Sequence, residues 1–194
     1  MIKLALAAMV FIMISVSAFS ENTTDTTNQA KKIMYIKMQY AGNIGLISFG
    51  AGYEFLKSRI SIDLSYGNLP KYINGVRVNT IALKPVWHFK PFELRYFNTD
   101  LYIGSSLNYS IGRNIYGKAP NYYPLDYVYP NAFSFNPLLG IRTRFKSKDY
   151  ELKKMSLYFE MGTVDLKVWY ALRTREVTLL EIWNLGIGLI IHIN

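Results

Sequence analysis

Apolar and polar residues alternate with a period of two along most of the chain after residue 32, which is the pattern of β-strands whose two faces differ. The segment 100–111 shows it most clearly, because its odd-numbered positions are mostly Leu, Ile or Tyr and its even-numbered positions are mostly Gly, Ser or Asn. The same alternation predicts eight strands, at about 33–41, 44–55, 60–67, 79–89, 100–111, 135–145, 155–162 and 185–194.

The two faces of these predicted strands differ in a way that indicates a membrane barrel. One face carries bulky apolar side chains, and the other carries glycine, serine and charged residues. Segments of roughly ten residues with this pattern are typical of transmembrane β-strands, which turn the apolar face to lipid and the polar face to the lumen. A soluble β-sandwich or lipocalin-like barrel also alternates, but sandwich strands usually have about 5–6 residues, and the charged residues of a soluble barrel face water. The pattern therefore predicts an all-β fold, a transmembrane antiparallel up-and-down β-barrel of eight strands over residues 33–194.

The N-terminal residues have the layout of an export signal. A lysine precedes an almost wholly apolar run at 4–16, and residues 18–20 (Ala-Phe-Ser) offer small side chains at the two positions that a signal peptidase reads. The apolar run is too short to predict a membrane-spanning helix. We therefore expect a signal peptide at 1–20, followed at 21–32 by a flexible periplasmic leader, because that segment is polar and aperiodic. Export and the barrel pattern together predict a place in the outer membrane of a Gram-negative cell envelope.

Composition and charge are consistent with this fold. Aromatic residues make up 15% of the chain at a mean hydropathy of only +0.08, as expected of a barrel with an apolar outside, a polar inside and interfacial aromatic girdles. The chain has no cysteine, so it must be stable without disulfides and cannot be a lipid-anchored lipoprotein. The formal net charge of +9 comes from basic residues scattered among strands and turns rather than from a block. We therefore expect contacts with outer-membrane lipid and lipopolysaccharide, and not with nucleic acid.

The links between the predicted strands differ in length on the two sides of the membrane. With the N-terminus in the periplasm the odd-numbered links lie outside, and three of them, at 68–78, 112–134 and 165–183, are long. The even-numbered links are shorter, which is the usual asymmetry of such barrels. Aromatic and basic residues in two outer links could stack on a partner or a sugar, contact lipid phosphates, or simply fold over the barrel mouth. These contact candidates are Tyr122, Tyr123, Tyr127, Tyr129, Trp169, Arg173 and Arg175.

The polar face of the predicted strands places charged side chains in the lumen. The ion-pair candidates are Lys37, Glu54, Asp63, Lys84, Arg142, Arg144 and Glu160, with His88 and His192 as further titratable residues. Eight strands leave an interior just wide enough for side chains to fill, and charges buried there must pair. Arg142 or Arg144 and Glu160 lie on neighbouring strands, so we expect an ion pair between them. The size argument favours a polar plug that holds the barrel shut over the alternative, a narrow pore.

Some small outer-membrane barrels are enzymes, notably lipid A deacylases and acyltransferases, and a lipid A-modifying enzyme is the second alternative. Such an enzyme needs a base and a nucleophile within hydrogen-bond reach near the outer leaflet. His88 and His192 are the chain's two histidines, and the predicted topology places both at periplasmic strand ends. The sequence has no phosphate-binding glycine loop and no Cys/His spacing for a metal. We therefore predict no enzymatic activity, no cofactor and no metal.

Four positions interrupt the regular pattern of the predicted strands. Pro85 and Pro137 cannot donate to a ladder, so we expect a bulge or a strand end at each. Gly186 and Gly188 stand in the last strand, where close approach or bending accounts for the missing side chains.

The signal, the alternating strands and the C-terminal segment 184–194 (NLGIGLIIHIN) resemble those of small outer-membrane barrel proteins of the OmpA, OmpX and OmpW kind. The last segment looks like the signal read by the barrel-assembly machinery, except that Asn194 stands where an aromatic residue is usual. The segments at 50–56 (GAGYEFL), 61–67 (SIDLSYG) and 185–189 (LGIGL) also resemble those of a family of outer-membrane proteins with no established activity. These resemblances imply a barrel with no established activity, and no catalytic residue is carried over from them. We therefore predict a monomeric outer-membrane barrel with a structural or surface-interaction role.

Overall fold

The structure is a computed structural model, and it describes residues 33–113, 115–117, 132–146, 152, 154–165, 168 and 182–193. The predicted signal peptide and leader lie outside the described residues. The elements are β1 (Ile33–Ala41), β2 (Ile47–Phe55), β3 (Ile60–Leu69), α1 (Lys71–Asn74), β4 (Val78–His88), β5 (Phe92–Glu93), β6 (Phe97–Gly112), β7 (Phe133–Phe145), β8 (Met155–Thr163) and β9 (Trp183–His192).

Eight of these strands close into an antiparallel barrel. They pair in the order β4-β3-β2-β1-β9-β8-β7-β6, and a ladder between β4 and β6 completes the ring. The last strand, β9, pairs with the first, β1, from Tyr35↔His192 to Ala41↔Gly186. Strand β5 has two residues, and among the described residues it pairs only with the start of β6. It therefore extends the sheet beyond the ring. The prediction of an antiparallel barrel of eight strands is therefore confirmed.

The two ends of the barrel differ in their links. We call the end at which β1 begins the lower end, and the end at which β1 is linked to β2 the upper end. The lower link between β2 and β3 is a tight turn in which Leu56, Lys57 and Ser58 have φ angles of 50°, 57° and 65°. It is closed by a hydrogen bond of 3.1 Å that Arg59 N donates to Phe55 O. The other described lower link, between β4 and β6, is longer and contains β5.

The upper link between β3 and β4 contains α1, a four-residue helical turn. It ends at Gly75, whose φ of 70° is in the left-handed region that glycine adopts without steric cost. Among the described residues, no helix combines the length and the apolar character needed to cross a membrane.

Alternation along each strand sorts the side chains between the outside and the lumen. In β3, for example, Leu64 and Tyr66 point outward and are exposed, whereas Asp63 and Ser65 are buried in the lumen. The same alternation of buried and exposed positions follows the other long strands, as the sequence pattern predicts. Among the described residues, twenty polar or charged residues and ten apolar residues are buried. The interior of the barrel is therefore polar and its outer surface is apolar.

The two strand prolines are accommodated without a bulge. Pro85 lies inside β4 and pairs with Ile62 of β3, while the ladder to β6 has a gap there. The register with β6 is the same on both sides of that gap, so the expected bulge at Pro85 is wrong. Each strand residue donates its N–H to one neighbour only, and a proline therefore costs a single ladder bond. Pro137 lies inside β7 and pairs with Ser105, and the ladder between β7 and β8 ends beside it, at Leu138.

Candidate functional site: the barrel lumen

Among the described residues, the lumen contains equal numbers of positive and negative side chains. The basic residues are Lys37, Lys84, Arg142 and Arg144, and the acidic residues are Glu54, Asp63, Asp100 and Glu160. With both histidines neutral, their formal charge is 4 − 4 = 0. All are buried except Arg144, whose side chain is 31% exposed. We call these eight residues, with His88 and His192, the charged cluster. A balanced set lets each charge have an opposite partner, which burial requires.

Arg142 forms the centre of the lower part of the charged cluster. Its Nε lies 3.2 Å from each carboxylate oxygen of Asp100 on the neighbouring strand β6. Its Nη1 donates to Glu54 on β2, which is four strands away around the ring and therefore on the opposite wall. Arg144 Nη2 and His192 Nε2 each lie 3.4 Å from the Glu54 carboxylate. The Arg142 guanidinium thus connects opposite walls of the barrel.

Ser61, His88 and Asp100 form a hydrogen-bonded chain beside Arg142. His88 Nδ1 lies 2.8 Å from Asp100 Oδ2, and His88 Nε2 lies 3.0 Å from Ser61 Oγ. The carboxylate accepts from Nδ1–H in this arrangement, so Nε2 accepts from the serine hydroxyl. This is the hydrogen-bond order of a Ser-His-Asp triad. All three side chains are at least nine-tenths buried near the lower end of the lumen.

A second contact across the lumen joins β4 to β8. Lys84 Nζ lies 2.6 Å from Glu160 Oε1 and 3.1 Å from Gln39 Oε1. Tyr158 donates its hydroxyl to the same Gln39 oxygen at 3.0 Å. β4 and β8 are three strands apart in the ring, so Lys84 spans the lumen rather than pairing along the wall. The Lys84 side chain is only 1% exposed, so its ammonium is buried together with these two oxygen acceptors.

The third ion pair follows the wall from β1 to β3. Lys37 Nζ and the Tyr35 hydroxyl both donate to the Asp63 carboxylate. Lys37 Nζ also lies 4.9 Å from the centre of the Tyr158 ring, a cation–π distance. Gly52 on β2 stands between the partners, and a Cβ there would overlap both Asp63 Oδ1 and the Tyr35 ring. The glycine is therefore what lets the side chains of β1 and β3 meet over β2.

Two glycines of β9 have the same role at the seam of the barrel. A Cβ on Gly188 would overlap Met38 O and the Tyr158 ring. A Cβ on Gly186 would lie 2.6 Å from Gln39 Nε2. Close approach of neighbouring atoms therefore accounts for both glycines. This is one of the two explanations that the sequence analysis gives for them.

The space left among these side chains is small. A cavity of about 20 Å³ is lined by residues that include Tyr35, Lys37, Asp63, His88 and Arg142. A polar cavity of this volume accommodates roughly one water molecule.

In the part of the chain that the structure describes, the upper lumen is polar and carries amides instead of charges. Asn184 Nδ2 donates to Asn43 Oδ1 at 2.6 Å, and Asn108 Nδ2 donates to Asn43 O at 3.2 Å. Asn136 Nδ2 has a long contact of 3.4 Å with Ser134 Oγ, and its Oδ1 accepts no hydrogen bond from the described residues. We call Asn43, Asn108, Asn136 and Asn184 the amide cluster.

All seven predicted ion-pair candidates take part in ion pairs in the structure. The predicted partner of Glu160 is wrong, because Glu160 pairs with Lys84 and not with Arg142 or Arg144. The register explains the difference. Arg142 stands opposite Tyr158, which places Glu160 two residues farther up β8.

Sequence reasoning missed one member of the charged cluster, Asp100. Alternation already places it on the polar face of β6, with Tyr102, so the signal was present and the residue could have been included. The contact candidates in the upper links all lie outside the described residues. These are Tyr122, Tyr123, Tyr127, Tyr129, Trp169, Arg173 and Arg175.

No protein-family model matches the sequence, and no curated protein is significantly similar to it. The described residues contain no group of three or more His, Cys, Asp or Glu side chains placed to hold a metal ion. The geometry of the lumen is therefore the basis for a functional proposal.

Proposed function

We propose that the protein is an outer-membrane β-barrel whose lumen is closed by its own side chains and whose role is structural or one of surface interaction. The observation that supports this proposal is the distribution of polarity, because the charged side chains are inside the barrel and the large apolar ones are outside. A soluble barrel has the opposite arrangement, since its apolar side chains form the core.

The apolar outer surface supports placement in a lipid bilayer. Phe49, Leu64 and Ile187 are 59%, 58% and 55% exposed, and large apolar side chains like these occur on all eight strands of the ring. An apolar surface of this extent is unfavourable in water and matches the hydrocarbon core of a membrane. A closed barrel also satisfies its backbone hydrogen bonds internally, as spanning a bilayer requires.

The contacts in the charged cluster support a closed lumen. Arg142 and Lys84 each reach a carboxylate across the interior, and the cavity beside them accommodates about one water molecule. The positive and negative charges balance, so the cluster leaves no excess charge to attract ions of one sign. A closed lumen is therefore favoured over a narrow pore.

The resemblance to OmpA-, OmpX- and OmpW-like proteins and the export signal extend the proposal. They favour a monomer that is inserted by the barrel-assembly machinery and contacts phospholipid and lipopolysaccharide. On this view the lower end of the barrel faces the periplasm and the upper end faces the cell exterior.

Heat-modifiability is the test of the membrane barrel. Outer-membrane fractions are run unboiled and boiled on a denaturing gel, and we expect the protein in that fraction with a mobility shift on boiling. Protein found only in the soluble periplasmic fraction, without a shift, would contradict the proposal. Planar-bilayer recording then tests the lumen: a closed barrel gives no discrete current steps, and regular steps would favour the narrow pore.

The Ser61–His88–Asp100 chain favours a second candidate, a hydrolytic activity that would extend to lipid A deacylation. The small cavity opposes it, because a substrate would have to displace the charged cluster. We expect a fluorophosphonate probe to leave the folded protein unlabelled and lipid A to be unchanged on overexpression. Labelling that is lost in Ser61→Ala would establish the hydrolase and contradict the closed lumen.

A further inference from the structure

The lower link between β4 and β6 differs from the rest of the barrel, because its apolar side chains are exposed on both faces. We call residues 89–97 (FKPFELRYF) the β5 hairpin. Phe89, Phe92, Leu94 and Tyr96 are 45–60% exposed, and every residue from 89 to 96 is exposed. The tight lower link between β2 and β3 has one exposed large apolar residue, Leu56. Exposed apolar side chains grouped in this way indicate a binding surface.

The β5 hairpin is held in a defined position at the rim of the barrel. Leu94 N donates to Phe97 O at 2.8 Å, which closes the hairpin, and Lys146 N donates to Tyr96 O at 2.9 Å. Lys146 Nζ also forms an ion pair of 2.7 Å with Glu93. The hairpin is therefore tied to the end of β7 and presents its side chains in a fixed arrangement.

Basic residues are interleaved with the apolar side chains of the β5 hairpin. Lys90 and Arg95 are exposed, and within the part of the chain that the structure describes neither has an acidic partner. The Arg95 guanidinium lies 5.2 Å from the centre of the Tyr96 ring. Glu93 is already paired with Lys146, so the hairpin keeps an excess of positive charge. Aromatic rings with neighbouring cations are suited to the layer where acyl chains meet phosphates.

We propose that the β5 hairpin is a binding site for anionic phospholipid, with its aromatic side chains among the acyl chains and with Lys90 and Arg95 on the phosphates. This inference rests on the proposed membrane barrel and adds a partner for one rim. Charge complementarity selects the occupant: the hairpin offers two cations and an apolar surface, and a phospholipid with a net negative charge matches both.

Depth measurements test where the hairpin lies. The chain has no cysteine, so Leu94→Cys, Leu64→Cys and Lys57→Cys each give a single nitroxide label in the full barrel reconstituted in phosphatidylcholine–phosphatidylglycerol vesicles. We expect the Leu64→Cys label in the hydrocarbon core, the Leu94→Cys label at headgroup depth and the Lys57→Cys label in water. A Leu94→Cys label as water-exposed as that of Lys57→Cys would overturn the inference alone, whereas a water-exposed Leu64→Cys label would overturn the membrane barrel itself.

Lipid selectivity tests the charge contribution. The ratio of phosphatidylglycerol to phosphatidylcholine retained by the purified barrel is measured by mass spectrometry for Lys90→Gln/Arg95→Gln. Its control, Lys57→Gln/Arg59→Gln, removes the same charge from the other lower link. We expect the ratio to fall about fivefold or more in the hairpin variant, since each cation at a membrane surface contributes an effect of that order, and to stay near the wild-type value in the control. An unchanged ratio, or an equal fall in both variants, would overturn the proposal.

Discussion

In the charged cluster Arg142 and Lys84 reach carboxylates on distant strands, whereas in the amide cluster Asn184 contacts Asn43 with no charge involved. Both regions are polar and enclosed by the same wall. They differ in the effect of removing one side chain of a pair. A water molecule can take the place of a lost amide, but it cannot neutralise a buried ion that has lost its partner. We therefore expect the loss of a partner in the charged cluster to cost more stability than the loss of a partner in the amide cluster.

The largest expected effect comes from removing the cation shared by two acids. Arg142→Met removes the cation that Glu54 and Asp100 share inside the lumen. Loss of one partner from a buried ion pair costs about 3–5 kcal/mol. Denaturant unfolding of the detergent-folded barrel measures this loss. Arg144→Met is the matched control, because its side chain is partly exposed and should cost far less. Equal losses in the two variants would contradict a central role for Arg142.

A single and a double variant at Lys84 and Glu160 sharpen the comparison. Lys84→Met alone leaves a buried carboxylate and should lower the free energy of unfolding by about 3 kcal/mol. Adding Glu160→Gln removes that charge and should restore stability to within about 1 kcal/mol of wild type. The same unfolding measurement checks both variants. If the double variant is no more stable than Lys84→Met, the cost comes from packing and not from the unpaired charge.

The amide cluster should respond more weakly. Asn184→Ala removes the 2.6 Å hydrogen bond to Asn43, and a neutral hydrogen bond of this kind contributes about 1 kcal/mol. Asn136→Ala is the control, since its contact to Ser134 is long, and its cost should be smaller. A loss as large as that of Arg142→Met would remove the distinction between the two halves of the lumen.

The smallest effect is expected outside the lumen, at the exposed pair between Glu93 and Lys146. The hydrogen bond from Lys146 and its positive charge lower the pKa of Glu93 below its usual value. The contribution of this pair is therefore present above the usual pKa of a glutamate and is lost as the pH falls through the lowered pKa of the folded state. Glu93→Gln should scarcely change stability at neutral pH, and unfolding curves of variant and wild type should coincide in acid. A large difference at neutral pH would show that ion pairs outside the lumen also hold the barrel.

The wall of the barrel could be predicted from the sequence, because alternation with a period of two determines whether each side chain points outward or into the lumen. Asp63 and Leu64 are adjacent in the chain, and their opposite directions follow from that period alone. Alternation does not determine the position of a residue along the barrel axis. Glu160 and Arg142 were assigned to neighbouring strands correctly, yet they miss each other by two residues along the ladder.

The contacts across the lumen lay beyond sequence reasoning for a related reason. Whether Arg142 meets Glu54 depends on the tilt and stagger that close an eight-strand ring, and these are properties of the whole sheet. Gly52 is an instance of the same limit. It is a glycine in the sequence, but its use as a gap between Tyr35 and Asp63 appears only when three strands are placed side by side.

The seam between β1 and β9 has a consequence for how the chain reaches this structure. Glu54 is separated in sequence by 88 residues from Arg142 and by 138 from His192, and Gln39 by 119 from Tyr158. An open sheet that lacks β9 would keep the pairs along the wall, Lys37 with Asp63 and Arg142 with Asp100. It would leave Glu54 and Lys84 without the partners that they reach across the lumen. Closure by the last strand and formation of the contacts across the lumen are then a single step, so we expect a half-assembled barrel to have little stability of its own.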